Sequence, residues 1–121
     1  MNVLVADDSG VIRKIIVRSL NTLGVKNVTE AADGGDALAK FLAGSFDLVL
    51  TDWNMPEKSG LEVLQGIRAS GSKVPVIMVT TEAEKARVME AIQAGVSDYL
   101  TKPFEAADLQ AKIDKFVTCK A

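Results

Sequence analysis

Histidine is absent from all 121 residues, and this absence excludes more chemistry than any motif adds. Ser-His-Asp and Cys-His catalysis both need an imidazole, and the commonest transition-metal ligand goes with it. The one cysteine, Cys119, cannot close an intrachain disulfide and is read as a minor packing or surface residue. Chemistry here must run on carboxylates, hydroxyls and amines. No apolar run approaches the ~20 residues that span a bilayer. The start "MNVLVADD" lacks the basic region and long apolar stretch of a secretory signal, so a cytoplasmic protein is expected. Neither charge sign dominates: 14 basic and 16 acidic residues, interleaved, leave a net charge of −2. That balance offers no electrostatic footprint for nucleic acid or an anionic membrane. Pro-, Gly- or Ser-rich linkers and low-complexity tracts are missing too.

What is present is ordinary globular material, 48% hydrophobic and 25% charged, at a length that suits one domain. Short β-rich runs alternate with helical periodicity. Residues 2–6 (NVLVA), 27–31 (NVTEA), 47–51 (DLVLT), 75–80 (PVIMVT) and 97–101 (SDYLT) read as strands. Three have the nearly continuous apolar cores of buried parallel strands.

Between the strands, Ile12, Ile15, Ile16, Leu20 and Leu23 recur at helical spacing and stop at Gly24. Asp33 can cap a second helix carrying Leu38, Phe41 and Leu42, and Ser59 with Glu62 forms a capping box ahead of Leu64 and Ile67. The segment 82–94 puts Val88, Met89 and Ile92 on one face before Gly95, and 105–118 does likewise with Leu109, Ile113, Phe116 and Val117. Strict β-α alternation predicts an α/β fold: a five-stranded parallel sheet in the flavodoxin-like order 2-1-3-4-5, flanked by five helices.

In such sheets ligands bind beyond the carboxyl ends of the strands, near the point where strand order reverses. The first strand ends in Asp7-Asp8, the third in Asp52, the fourth in Thr80, and the fifth runs into Lys102-Pro103. Three acids, a hydroxyl and an amine should therefore gather at one edge. Two carboxylates 4 Å apart repel by about 4 kcal/mol at an effective dielectric of about 20, so a cluster of this kind calls for a cation. All-oxygen ligation suits Mg²⁺, with Mn²⁺ as a substitute. Taken singly, each residue has a plain structural role: a solvated acid pair, a turn former before Pro56, a strand-end hydroxyl, a surface lysine. The functional reading rests on their joint placement.

The constellation Asp7-Asp8, Asp52, Thr80 and Lys102-Pro103, with the segments "TDWNMP" and "EAIQAGVSDYLTKPF", resembles the receiver domain of two-component response regulators over essentially the whole chain. The likeness is greatest to single-domain chemotaxis receivers, themselves a standard example of this strand order. The resemblance implies one receiver domain over residues 1–121 with no output domain. It implies that Asp52 accepts a phosphoryl group from the phosphohistidine of a sensor histidine kinase. Asp8 and Asp52 would bind Mg²⁺ directly, Asp7 through a water, and Asn54 by its main-chain carbonyl. Lys102 would offset phosphoryl charge, its amine aimed inward by the turn at Pro103. Thr80 and Tyr99 would form a switch acting on the face of the fourth helix, fifth strand and fifth helix. Asn54 and Glu82 would flank the water that hydrolyses the acyl phosphate.

Such a protein is a phosphoacceptor with intrinsic self-phosphorylation and autodephosphorylation, not an enzyme in the usual sense. Its implied partners are the kinase, a flagellar motor switch protein and a phosphatase, and it is expected to be a monomer. Thr81 departs from the small residue common after the switch threonine, and Ser59 from an aspartate common before the following glycine. Trp53 is expected to be partly exposed and to report cation binding by fluorescence. The alternatives are a stand-alone phosphorelay shuttle or phosphate sink, or a receiver module of a larger regulator. More remote are an aspartate-nucleophile phosphatase, whose first-strand acids are separated by one residue, and a flavin binder, whose phosphate Asp7-Asp8 would repel.

Overall fold

β-Branched and aliphatic residues fill each strand, and their alternation divides the protein into two apolar layers. The computed structural model describes residues 2–53, 55, 57–81, 88–102 and 106–117. For Thr80, Thr81, Val88, Lys102, Ala106, Phe116 and Val117 it describes the backbone alone. The elements are β1 (Asn2–Ala6), α1 (Gly10–Thr22), β2 (Asn27–Ala31), α2 (Gly34–Ala43), β3 (Leu48–Asp52), α3 (Gly60–Ala69), β4 (Val76–Thr81), α4 (Val88–Gln93), β5 (Asp98–Lys102) and α5 (Ala106–Val117). The strands form one parallel sheet in the order β2-β1-β3-β4-β5, as the alternation predicts.

Period-two alternation sends Leu4, Ala6, Val49, Val76 and Met78 to one face, where they pack against Ala37, Phe41, Val63, Leu64, Ile67 and Ala91 of α2, α3 and α4. Val3, Val5, Leu48, Leu50, Ile77 and Leu100 go to the other, against Ile16, Leu20, Leu109 and Ile113 of α1 and α5. β3 lies at the centre and is buried along its whole length. Among the described residues no helix is long and apolar enough to cross a membrane.

The helix boundaries follow local chemistry. Ser9 caps α1 by accepting from the Ile12 amide, and Asp33 caps α2 by accepting from the Asp36 amide at 2.6 Å. Both bonds of the expected capping box open α3: Glu62 N–H to Ser59 Oγ at 3.2 Å and Ser59 N–H to Glu62 Oε1 at 3.1 Å. Gly24 follows the α1 C-cap, Leu23, with φ at +91°, and the Val25 amide closes back onto the Leu20 carbonyl at 2.9 Å.

Not every apolar helix residue faces inward. Ile15 and Leu42 are exposed. On α4 the correction is larger: Met89 and Ile92, read from spacing as an inward face, are 63% and 53% exposed, and Ala91 is the residue that meets the core. Residues 82–87 of the expected fourth helix, Asn54, Glu82, Pro103 and Cys119 lie outside the described residues.

Candidate functional site

The register brings the carboxyl ends of four neighbouring strands to one edge. Ala6 pairs with Thr51, Asp52 with Val79, Thr80 with Thr101, and Thr81 with Lys102. Asp7, one residue beyond β1, therefore emerges beside Asp52, the last residue of β3. The backbones of Thr80 and Lys102 stand at the same edge, one ladder step apart on β4 and β5.

Asp7 is fully buried and tightly tied: its amide donates to the Ala31 carbonyl at 3.1 Å, and its Oδ1 accepts the Ser9 amide at 2.8 Å. Asp52 is also buried, and its Oδ1 accepts the Trp53 amide at 2.9 Å. Asp8 is exposed. Oxygens from Asp7, Asp8 and Asp52 all lie within 4.8 Å of one another. An octahedral Mg²⁺ holds ligand oxygens about 3 Å apart along an edge and about 4 Å apart across the ion. Oxygens gathered within 4.8 Å of one another can serve one shared ion. Its hard, all-oxygen donor set, two members of which are buried, fits Mg²⁺ or Mn²⁺.

Trp53 corrects an expectation. Instead of lying partly exposed, it is 3% exposed and packs into the cluster of α2, α3 and α4. Its main-chain amide, which donates to Asp52 Oδ1, also donates to the Val79 carbonyl of β4 at 3.0 Å.

Tyr99 pairs with Met78 across β4 and β5 and is half-buried against the same cluster. The Lys112 ammonium of α5 lies 5.6 Å from its ring centroid. Lys112 also donates to Asp98 Oδ1 at 3.0 Å, Lys115 donates to Oδ2 at 2.7 Å, and the Tyr99 amide donates to Oδ1 at 2.8 Å. Burial alone would raise the Asp98 pKa, but the hydrogen bonds from Lys115, the Tyr99 amide and Lys112, with the charge of Lys112, leave it lowered.

Two residues that sequence reasoning did not single out border this edge. Arg13 of α1 reaches the Asp7 carbonyl through Nη1 at 2.8 Å and Glu30 of β2 through Nε at 3.0 Å. A basic residue one turn into the first helix, opposite an acid near the end of β2, is the signal that could have found the pair.

Comparison with known proteins agrees with this geometry. Residues 3–114 match the family model described as the response regulator receiver domain. The chain is 45% identical over 117 residues to Chemotaxis protein CheY-3 of Vibrio cholerae serotype O1, covering 95% of this chain and 90% of that protein. It is 44% identical over 117 residues to Chemotaxis protein CheY of Pseudomonas aeruginosa, covering 95% and 94%. Among solved structures, the receiver domain of the Francisella response regulator 1452 superposes with a TM-score of 0.89 at 30% identity, covering 99% of this chain and 98% of that one.

Proposed function

The chain belongs to the response regulator receiver family, and from that premise we propose that Asp52 accepts a phosphoryl group from a phosphohistidine on a sensor kinase. The observation that carries this reading is the buried Asp52 at the end of β3 with oxygens of Asp7 and Asp8 within 4.8 Å. An oxygen of the Asp52 carboxylate forms the new O–P bond as the P–N bond to the kinase imidazole breaks. The bonding electrons leave with the imidazole nitrogen, which takes up a proton. Being a strand end, Asp52 presents its carboxylate from a fixed backbone, so orientation is settled before the donor arrives.

Asp8 and Asp52, with Asp7 through water and the Asn54 carbonyl, would hold a Mg²⁺ ion, which would supply charge compensation for the phosphoryl oxygens. Lys102, whose backbone ends β5, adds a second positive charge to offset that of the phosphoryl oxygens. Hydrolysis reverses the modification: water, flanked by Asn54 and Glu82, attacks phosphorus and releases inorganic phosphate, restoring the carboxylate.

Phosphorylation adds about 1.5 to 2 negative charges and new acceptor oxygens. Thr80 turns its hydroxyl to that phosphate, Tyr99 follows, and the face of α4, β5 and α5 changes what it binds. The outward Met89 and Ile92 support α4 as part of a partner surface. The chemotaxis proteins among the relatives support a role in chemotaxis; on this reading the partner is a flagellar motor switch component, and a kinase and a phosphatase act on the same monomeric, cytoplasmic receiver. The decisive experiment is Mg²⁺-dependent labelling by acetyl phosphate in wild type and Asp52→Asn. Loss of labelling in the variant is expected; labelling that survives overturns the assignment.

A further inference from the structure

The acid cluster depends on a short loop, and Arg13 grips that loop at its most consequential atom. The carbonyl of Asp7 belongs to the peptide unit that joins Asp7 to Asp8. Whatever fixes that carbonyl fixes the plane from which both carboxylates depart. Three contacts hold Asp7: its amide donates to the Ala31 carbonyl at 3.1 Å, its carboxylate accepts the Ser9 amide at 2.8 Å, and its carbonyl, the one group of the three within the Asp7–Asp8 peptide unit, accepts the Arg13 guanidinium at 2.8 Å. The third comes from a side chain and is itself oriented, because the Arg13 Nε donates to Glu30 Oε1 at 3.0 Å. A planar guanidinium held at two points cannot swing as a lysine ammonium does.

We propose that Arg13, held by Glu30, is a positioning residue for the cation: it sets the Asp7–Asp8 peptide so that the two carboxylates converge with Asp52. This rests on the reading of the acid triad as a Mg²⁺ site. Among the described residues Arg13 bonds to the Asp7 carbonyl and to Glu30, so it acts through the backbone of a residue that supplies a ligand oxygen. Outer groups that orient metal ligands in this way govern affinity almost as strongly as the ligands themselves.

Charge and position give opposite signs, which makes the idea testable. A guanidinium near a cation site repels the cation, so if Arg13 acted by charge alone its removal would tighten Mg²⁺ binding. If it acts by position, removal weakens binding. The experiment titrates the full chain with MgCl₂, followed by Trp53 emission and independently by calorimetry, for wild type, Arg13→Met, Arg13→Lys, Glu30→Ala, the Arg13→Met/Glu30→Ala double variant and the charge control Lys14→Ala. Arg13→Met should raise the Mg²⁺ Kd on the order of tenfold, with smaller rises for Arg13→Lys and Glu30→Ala. The double variant should be no worse than Arg13→Met alone, because the two side chains act in series. Lys14→Ala should leave the Kd unchanged or lower.

An unchanged or lowered Kd in Arg13→Met, or an equal weakening by Lys14→Ala, overturns the proposal. Should Arg13→Met not fold, Arg13→Lys and Glu30→Ala carry the same comparison, and wild-type Kd values in both overturn it. Absence of Mg²⁺ binding in wild type is a separate result, and it removes the underlying reading of the site instead.

Discussion

Gly60, the first residue of α3, lies flat against the main chain of Asp52. A Cβ at Gly60 would overlap the Asp52 carbonyl oxygen and stand 2.8 Å from Met78 Sδ. The Gly60 amide donates to the Trp53 carbonyl at 2.7 Å. The helix start is therefore nested on the backbone that carries the Asp52 carboxylate.

Gly60→Ala should accordingly disturb both stability and the site. Forcing one methyl group into a filled position costs about 1 to 3 kcal/mol, and here the obstructing atom is backbone, which yields less than a side chain. Urea unfolding should show the loss, and Mg²⁺ affinity should fall with it. A variant as stable as wild type and with its Mg²⁺ Kd would show that the helix start is not coupled to Asp52.

Arg68 performs a comparable task at the far end of α3. Its guanidinium donates to the Gly95 carbonyl from Nε at 3.1 Å and from Nη2 at 2.8 Å, and from Nη1 to the carbonyls of Ser72 and Val74 at 3.2 and 2.7 Å. Partial burial lowers its pKa from the ordinary guanidinium value, though arginine remains protonated at any working pH. Arg68→Ala would leave those carbonyls without this donor, and a loss of about 2 to 3 kcal/mol is expected. Arg68→Lys should recover only part of it, because one ammonium cannot reproduce the fork. Full recovery by lysine in a thermal melt would contradict this account.

Arginines of this kind mark the boundary of what the sequence displays. Arg13 and Arg68 both act on main-chain carbonyls outside their own helices, and no spacing pattern encodes a carbonyl. Local chemistry, by contrast, is written plainly: the Asp33 cap and the Ser59–Glu62 box sit where their residue types require. Strand ends are intermediate. β3, β4 and β5 each begin and end one residue later than their apolar runs, so Asp52, Thr81 and Lys102 join the ladder. Polar residues at a functional edge hide the continuation of a strand that apolar patterning alone would end. The gathering of Asp7, Asp8 and Asp52 was legible because parallel topology dictates which strand ends adjoin. The outward turn of Met89 and Ile92 was not, because three apolar residues in a short helix do not say which side meets the core.

Asp98 gives the acid limb of stability a specific origin. Its pKa is lowered in the folded state against a burial effect of opposite sign, so folding favours the carboxylate. The contribution is fully present above the unfolded carboxylate value of about 3.9 and disappears as pH falls through the lower folded value. Asp98→Asn should cost about 1 kcal/mol near neutral pH, discounted because Lys115 is largely solvated. It should also flatten the stability profile below about pH 4. Parallel acid-unfolding curves for variant and wild type would remove Asp98 from the explanation.

The switch prediction separates chemistry from output. The backbones of Thr80 and Tyr99 stand on adjacent strands near the site, Thr80 paired with Thr101 and Tyr99 with Met78, and the proposed switch couples a hydroxyl drawn to a phosphorylated Asp52 to the tyrosine ring. Thr80 forms no bond to phosphorus, and Thr80→Ala should therefore leave the extent of acetyl phosphate labelling as in wild type. Partner binding is another matter, since coupling between a modified site and a remote surface is commonly 5- to 150-fold. Binding of the phosphorylated variant to a flagellar motor switch protein should weaken on the order of tenfold, with little change for the unphosphorylated forms. Tyr99→Ala should show the same separation, because the proposed switch runs through it to α4, β5 and α5. If both phosphorylated variants bind as tightly as phosphorylated wild type, the signal leaves Asp52 by another route.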